Sequence, residues 1–132
     1  MPDVRPIPTL TEKKLLQLEE QANDIRKDLI NMLTTAGSGH SAGPLGLADI
    51  FTALYFHVLA HDPKKPQWKM RDRLLLSCGH IVPIRYAAMA HAGYFPKSEL
   101  KTLRKLGSKL QGHPEVHVMP SLENTSGPLG DG

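Results

Sequence analysis

The chain has 132 residues, of which 40% are hydrophobic and 22% charged, with a net charge of +3. That composition excludes a disordered acidic or basic tail, and the length suits one domain with a core of its own. No apolar run is long enough to span a bilayer, and aromatics at 5% offer no stacking platform for single-stranded nucleic acid.

Lys and Arg are spread over the first helix, the 64–73 stretch and 97–109 rather than gathered into a stripe, so neither nucleic acid nor membrane is expected as a partner. A single cysteine, Cys78, excludes an internal disulfide framework, and the N-terminus has no secretory layout. A reducing cytoplasm is the expected location. Seven histidines remain as the compositional feature to follow.

Residues 1–9 carry three prolines and read as an extended lead-in to a domain over 10–132. Leu15, Leu18, Ala22, Ile25, Leu29, Met32 and Ala36 recur at steps of three and four and predict a helix. Thr11 is its expected N-cap, without a capping box because Lys14 occupies the third position, and Gly37 its stop. After the Gly-rich turn 37–43, Pro44 opens a second predicted helix running to about Ala60. Ile50, Phe51, Leu54, Val58 and Leu47 form its apolar face.

Residues 62–72 are polar with two prolines and read as a loop. Arg73 to Ser77 is a short apolar run, the length of a buried strand, and Val116-His117-Val118 is a weaker second strand. A helix is expected from about Val82 to Ala92, ended by Gly93. A short one follows from Glu99 to Leu106, with Leu100, Leu103 and Leu106 inward. Residues 107–132 hold eight Gly or Pro and form a long irregular segment. One or two strands do not complete a sheet. The expected class is therefore α/β: the front part of a larger domain, mostly helical, whose other strands lie beyond Gly132 or in other chains.

Three histidines share one setting: His40 follows Gly39, His80 follows Gly79 and His113 follows Gly112. Glycine lets the backbone turn sharply near a ligand, and imidazole can bond an anion or move a proton near neutral pH. His57, His61, His91 and His117 are assigned structural or surface roles. The i, i+4 pair His57 and His61 lacks an HExxH pattern, and Cys78 lacks an orienting third group for a Cys-His nucleophile.

Ser38-Gly39-His40 with Gly43-Pro44-Leu45-Gly46, then Asp72-Arg73 through Ser77-Cys78-Gly79-His80, then Gly112-His113-Pro114-Glu115, then Ser126-Gly127-Pro128-Leu129-Gly130, follow in order along the chain. Together they resemble the N-terminal, thiamine-diphosphate-binding region of transketolase. The stretches 92–96 and 104–108 resemble most the N-terminal subunit of two-gene transketolases.

The resemblance implies transfer of a two-carbon ketol unit between sugar phosphates, with thiamine diphosphate and Mg²⁺ as cofactors. It implies that His80, Gly127 and Leu129 meet the cofactor, and that His40 and His113 contact substrate. No metal ligand is expected within this chain: Gly130-Asp131-Gly132 lies too early to be the family's metal motif. The glutamate that activates the aminopyrimidine belongs to the family's middle domain. A C-terminal transketolase portion or subunit is thus the implied partner, in a homo- or hetero-oligomer, and the chain alone is expected to be inactive. A noncatalytic truncated subunit, acting as a dimerisation or scaffold module, stays open as the alternative.

Overall fold

The computed structural model describes residues 6–119, 121–127 and 130. Helix α1, Glu12–Ala36, is the longest element. Thr11 caps it as expected, its hydroxyl accepting from the Lys14 amide at 3.2 Å, and Gly37 ends it in left-handed backbone at φ 65°. Leu18, Ala22, Ile25, Leu29 and Met32 are buried along the predicted face, while Leu15 at its start is exposed.

The predicted second helix is broken into three pieces. Helix α2, Ala42–Gly46, and helix α3, Ala48–Ala53, flank Leu47, and a π-helical turn, Leu54–Val58, follows α3. The buried face of this region is Ala48, Phe51, Thr52 and Tyr55, and Ile50 is 54% exposed. The face is rotated because α3 packs on α1, where Arg26 of α1 pairs with Asp49 at 2.6 Å.

Helix α4, Val82–Ala92, begins after a 3₁₀ turn, Gly79–Ile81, and ends at Gly93. Residues 82–90 are all buried, so α4 is the central helix, enclosed by α1, α2, α3, the π turn and a 3₁₀ segment, Lys97–Thr102. A helix apolar on every side belongs in a core. Its one charge, Arg85, is 1% exposed and donates from Nε to the Tyr55 hydroxyl at 3.2 Å.

Both strands expected from the sequence are absent among the described residues. Residues 116–118 form a turn. Residues 73–77 carry no strand pairing, and side chains bond the backbone of Leu76 and Ser77 instead. The Asn124 amide accepts from the Leu76 N–H at 2.9 Å and donates to the Leu76 carbonyl at 3.0 Å. Ser126 Oγ donates to the Ser77 carbonyl at 2.7 Å. One backbone donor and two acceptors are thus satisfied without a sheet. The last predicted helix is instead the 3₁₀ segment 97–102. Leu100 and Leu103 are buried as expected, but the chain reverses at Arg104 and leaves Leu106 fully exposed.

Candidate active site

The three Gly-His pairs come from segments separated by 33 to 73 positions, and the fold brings their rings together. The His40 and His80 ring centroids lie 4.7 Å apart with the planes at 86°. His80 and His113 lie 4.9 Å apart at 90°. His80 is thus the middle ring, touched edge to face on both sides. His40 sits just before α2 and is exposed; His80 sits in the 3₁₀ turn that leads into α4 and is half-buried.

The turn carrying His113 and the turn carrying Gly127 are bonded to each other. The Ser126 amide donates to the Pro114 carbonyl at 3.3 Å, and the Thr125 hydroxyl donates to Glu115 Oε1 at 3.2 Å. Arg71 forks onto Glu123 with contacts of 2.9 and 3.1 Å, a part-buried bidentate pair that ties the 62–72 loop to the same segment. Asn124 and Ser126 then attach it to residues 76–77, just ahead of Gly79-His80.

Two glycines allow this approach. A Cβ on Gly79 would stand 2.7 Å from the Ser126 carbonyl oxygen, and one on Gly127 would stand 2.5 Å from His113 Cγ. Neither distance is reachable by a real side chain, so backbone and imidazole meet here only because both positions are glycine. Leu129, expected beside Gly127 at the cofactor, lies outside the described residues.

The charged neighbours that act on His113 are all basic. Burial, then the nearby imidazoles of His80 and His40, then Arg104, hold His113 below its ordinary pKa of 6.5. Its Nε2 is buried and has no hydrogen-bond partner among the described residues. No carboxylate among them pairs with any of the three rings. An orphaned buried nitrogen in a row of imidazoles without acidic neighbours suits phosphate oxygens and sugar hydroxyls. Nor is any group of three or more His, Cys, Asp or Glu among the described residues arranged to hold a metal ion.

A family model for the thiamine diphosphate binding domain of transketolase matches residues 18–132. The chain belongs to the transketolase family. Transketolase 2 of Escherichia coli (strain K12) is 43% identical over 115 residues, which are 86% of this chain and 17% of that protein. The 6-deoxy-6-sulfo-D-fructose transketolase subunit SqwG of Clostridium sp. (strain MSTE9) is 41% identical over 117 residues, 89% of this chain and 42% of that protein. The solved transketolase from Leishmania mexicana superposes with a TM-score of 0.81 at 38% identity, again over 86% of this chain and 17% of that one. The match thus covers 17% of the Escherichia coli and Leishmania mexicana enzymes and 42% of the SqwG subunit.

His91 and His61 are bonded within the fold, and His117 is exposed. His61 is bonded to the Tyr55 carbonyl and the Tyr94 hydroxyl. Cys78 is a free, exposed thiol. Sequence reasoning passed over the residues that assemble the site, Glu123, Asn124 and Arg71. The one available signal was the run Glu123-Asn124-Thr125-Ser126, four consecutive side chains able to bond neighbouring backbone.

Proposed function

We propose that this chain supplies one face of a transketolase active site, where a two-carbon ketol unit passes between sugar phosphates. The observation that carries the reading is the convergence of His40, His80 and His113, with His113 Nε2 buried and unbonded. Thiamine diphosphate, held with Mg²⁺, would supply the nucleophilic carbon and the electron sink for cleaving the bond beside the ketose carbonyl.

In this reading His80, the middle ring, donates an N–H to the cofactor's diphosphate side. Gly127 and Leu129 present the turn against its aminopyrimidine. His40 and His113 donate to substrate hydroxyls and hold or pass a proton there. The close approach of Gly127 to the His113 ring, which any Cβ would block, supports this reading.

The remaining part of the site would come from a C-terminal transketolase portion or subunit, in a homo- or hetero-oligomer. The Clostridium relative SqwG, named as a transketolase subunit, supports that arrangement. The same assembly would supply the metal ligands and complete an α/β domain around residues 73–77, and the chain alone would be inactive. A single cysteine supports a cytoplasmic setting, and no helix among the described residues is long and apolar enough to cross a membrane.

The test is complementation with the C-terminal portion of a transketolase. The pair should transfer ketol units. His80→Ala should raise the thiamine diphosphate requirement roughly tenfold to hundredfold, the worth of a hydrogen bond to a charged group. His113→Ala should lower kcat or raise the ketose KM. Activity unchanged by both substitutions would refute the assignment.

A further inference from the structure

Beside the third histidine lies a cation that the reading above does not use. Arg104 is exposed, and no carboxylate among the described residues pairs with it. Its guanidinium lies over Gly112, the residue just before His113. A Cβ on Gly112 would stand 2.7 Å from Nη1 and 3.3 Å from Cζ. The guanidinium is also close enough for its charge to disfavour protonation of His113.

The backbone is arranged around this placement. Arg104 is the one non-glycine residue with positive φ among the described residues, at 60°. Its amide donates to the Leu110 carbonyl at 2.8 Å, closing the 104–110 loop back toward Gly112. Thr102 and Ser108 pin the same loop through their hydroxyls at 2.7 Å. A left-handed conformation at a side chain as long as arginine is unfavourable, and here it accompanies a guanidinium seated over Gly112.

We infer that Arg104 extends the row His40–His80–His113 into a phosphoryl-binding corner, its guanidinium binding the phosphoryl oxygens of the ligand that His113 Nε2 contacts. The inference rests on the proposed function for the histidines and adds a charged binding residue to it. A guanidinium over Gly112, one residue before the ring with the unbonded buried nitrogen, offers a planar set of donors matched to phosphate, and no acidic group among the described residues pairs with either. The phosphoryl group has two possible sources, the cofactor's diphosphate and a sugar phosphate.

NMR of the imidazole Cε1–Hε1 signals in the 132-residue chain tests this. The probes, at millimolar concentration, are inorganic pyrophosphate, and fructose 6-phosphate against fructose. In the wild-type chain the His113 signal should move with the anions and not with fructose. Arg104→Asn removes the charge and suits left-handed backbone, so the loop is kept. It should weaken the anion response at least about fivefold, and Arg104→Lys, which keeps charge without the fork, should lose less.

A loss confined to pyrophosphate assigns the corner to the diphosphate; one confined to fructose 6-phosphate assigns it to the substrate; either supports the inference. A His113 response of wild-type strength in Arg104→Asn overturns Arg104's role and leaves the histidine row standing. No response to either anion in the wild-type chain overturns both.

Discussion

The histidines of this chain fall into two regions that use the same side chain in opposite ways. At the seam between α1 and α4, the His91 side chain is 2% exposed and has both nitrogens engaged. The Gln21 amide donates to Nδ1 at 2.6 Å, and Nε2–H donates to Asp28 at 2.7 Å. At the corner of the π turn, His61 likewise donates to the Tyr55 carbonyl and accepts from the Tyr94 hydroxyl. On the other face, His40, His80 and His113 touch one another by their ring edges, and no hydrogen bond joins their ring nitrogens to any described residue. A histidine whose nitrogens are all bonded inside the fold fastens elements together. One whose nitrogens are left open, against glycine, has its bonding capacity in reserve for something that binds.

The sharpest way to break that comparison is to remove one histidine from each region. His91→Ala should cost about 2–4 kcal/mol, since it leaves a cavity and takes the partner from both Gln21 and Asp28. His113→Ala removes a ring whose Nε2 is unbonded, and should cost under about 1 kcal/mol. Urea unfolding of the two variants checks both values. Equal losses would mean that the open row is structural after all.

Next in size are the glycines. Gly79→Ala drives a methyl group against the carbonyl of Ser126, which is backbone and cannot swing aside. Destabilisation of about 1–3 kcal/mol is expected. Gly127→Ala meets the His113 ring from its Cβ outward and also takes a side chain to φ 152°, so it should displace the ring at a cost in stability at least as large. The ring's chemical shifts and the unfolding midpoint together separate the two responses.

Acidification sharpens the comparison further. The folded chain holds His113 below 6.5, so the unfolded chain binds the proton more readily. The unfolded state is therefore favoured as pH falls below 6.5, and the loss is complete once pH passes the lowered folded value. His113→Asn should flatten this part of the stability–pH profile, measured by urea midpoints between about pH 7.5 and about pH 5. A steeper profile in the variant would reverse the sign assigned here. The smallest effect is expected at His117, an exposed ring outside both regions. His117→Ala should change stability by less than about 0.5 kcal/mol and leave the His113 signal in place.

What the sequence by itself determined is local. The α1 stripe, its Thr11 cap and its Gly37 stop depend on residues a few positions apart, and the structure repeats them. Helix α4 likewise takes its ends from Pro83 and Gly93. The Gly-His pairs marked three places where backbone turns tightly, and the motif order around them pointed to the right family.

Only the tertiary structure decided the rest, because the deciding partners are far away in the chain. Residues 73–77 have the composition of a strand, but their bonding is set by Asn124 and Ser126, nearly fifty positions later. The rotation of α3 follows from its packing on α1, and the exposure of Leu106 from the reversal at Arg104. His91 and His113 are each one imidazole in a sequence of seven. Whether such a ring becomes a fastening or an open site depends on whether the fold delivers a hydrogen-bond partner to each nitrogen. It does so for His91, with Gln21 and Asp28 sixty to seventy positions away, and leaves Nε2 of His113 without one among the described residues.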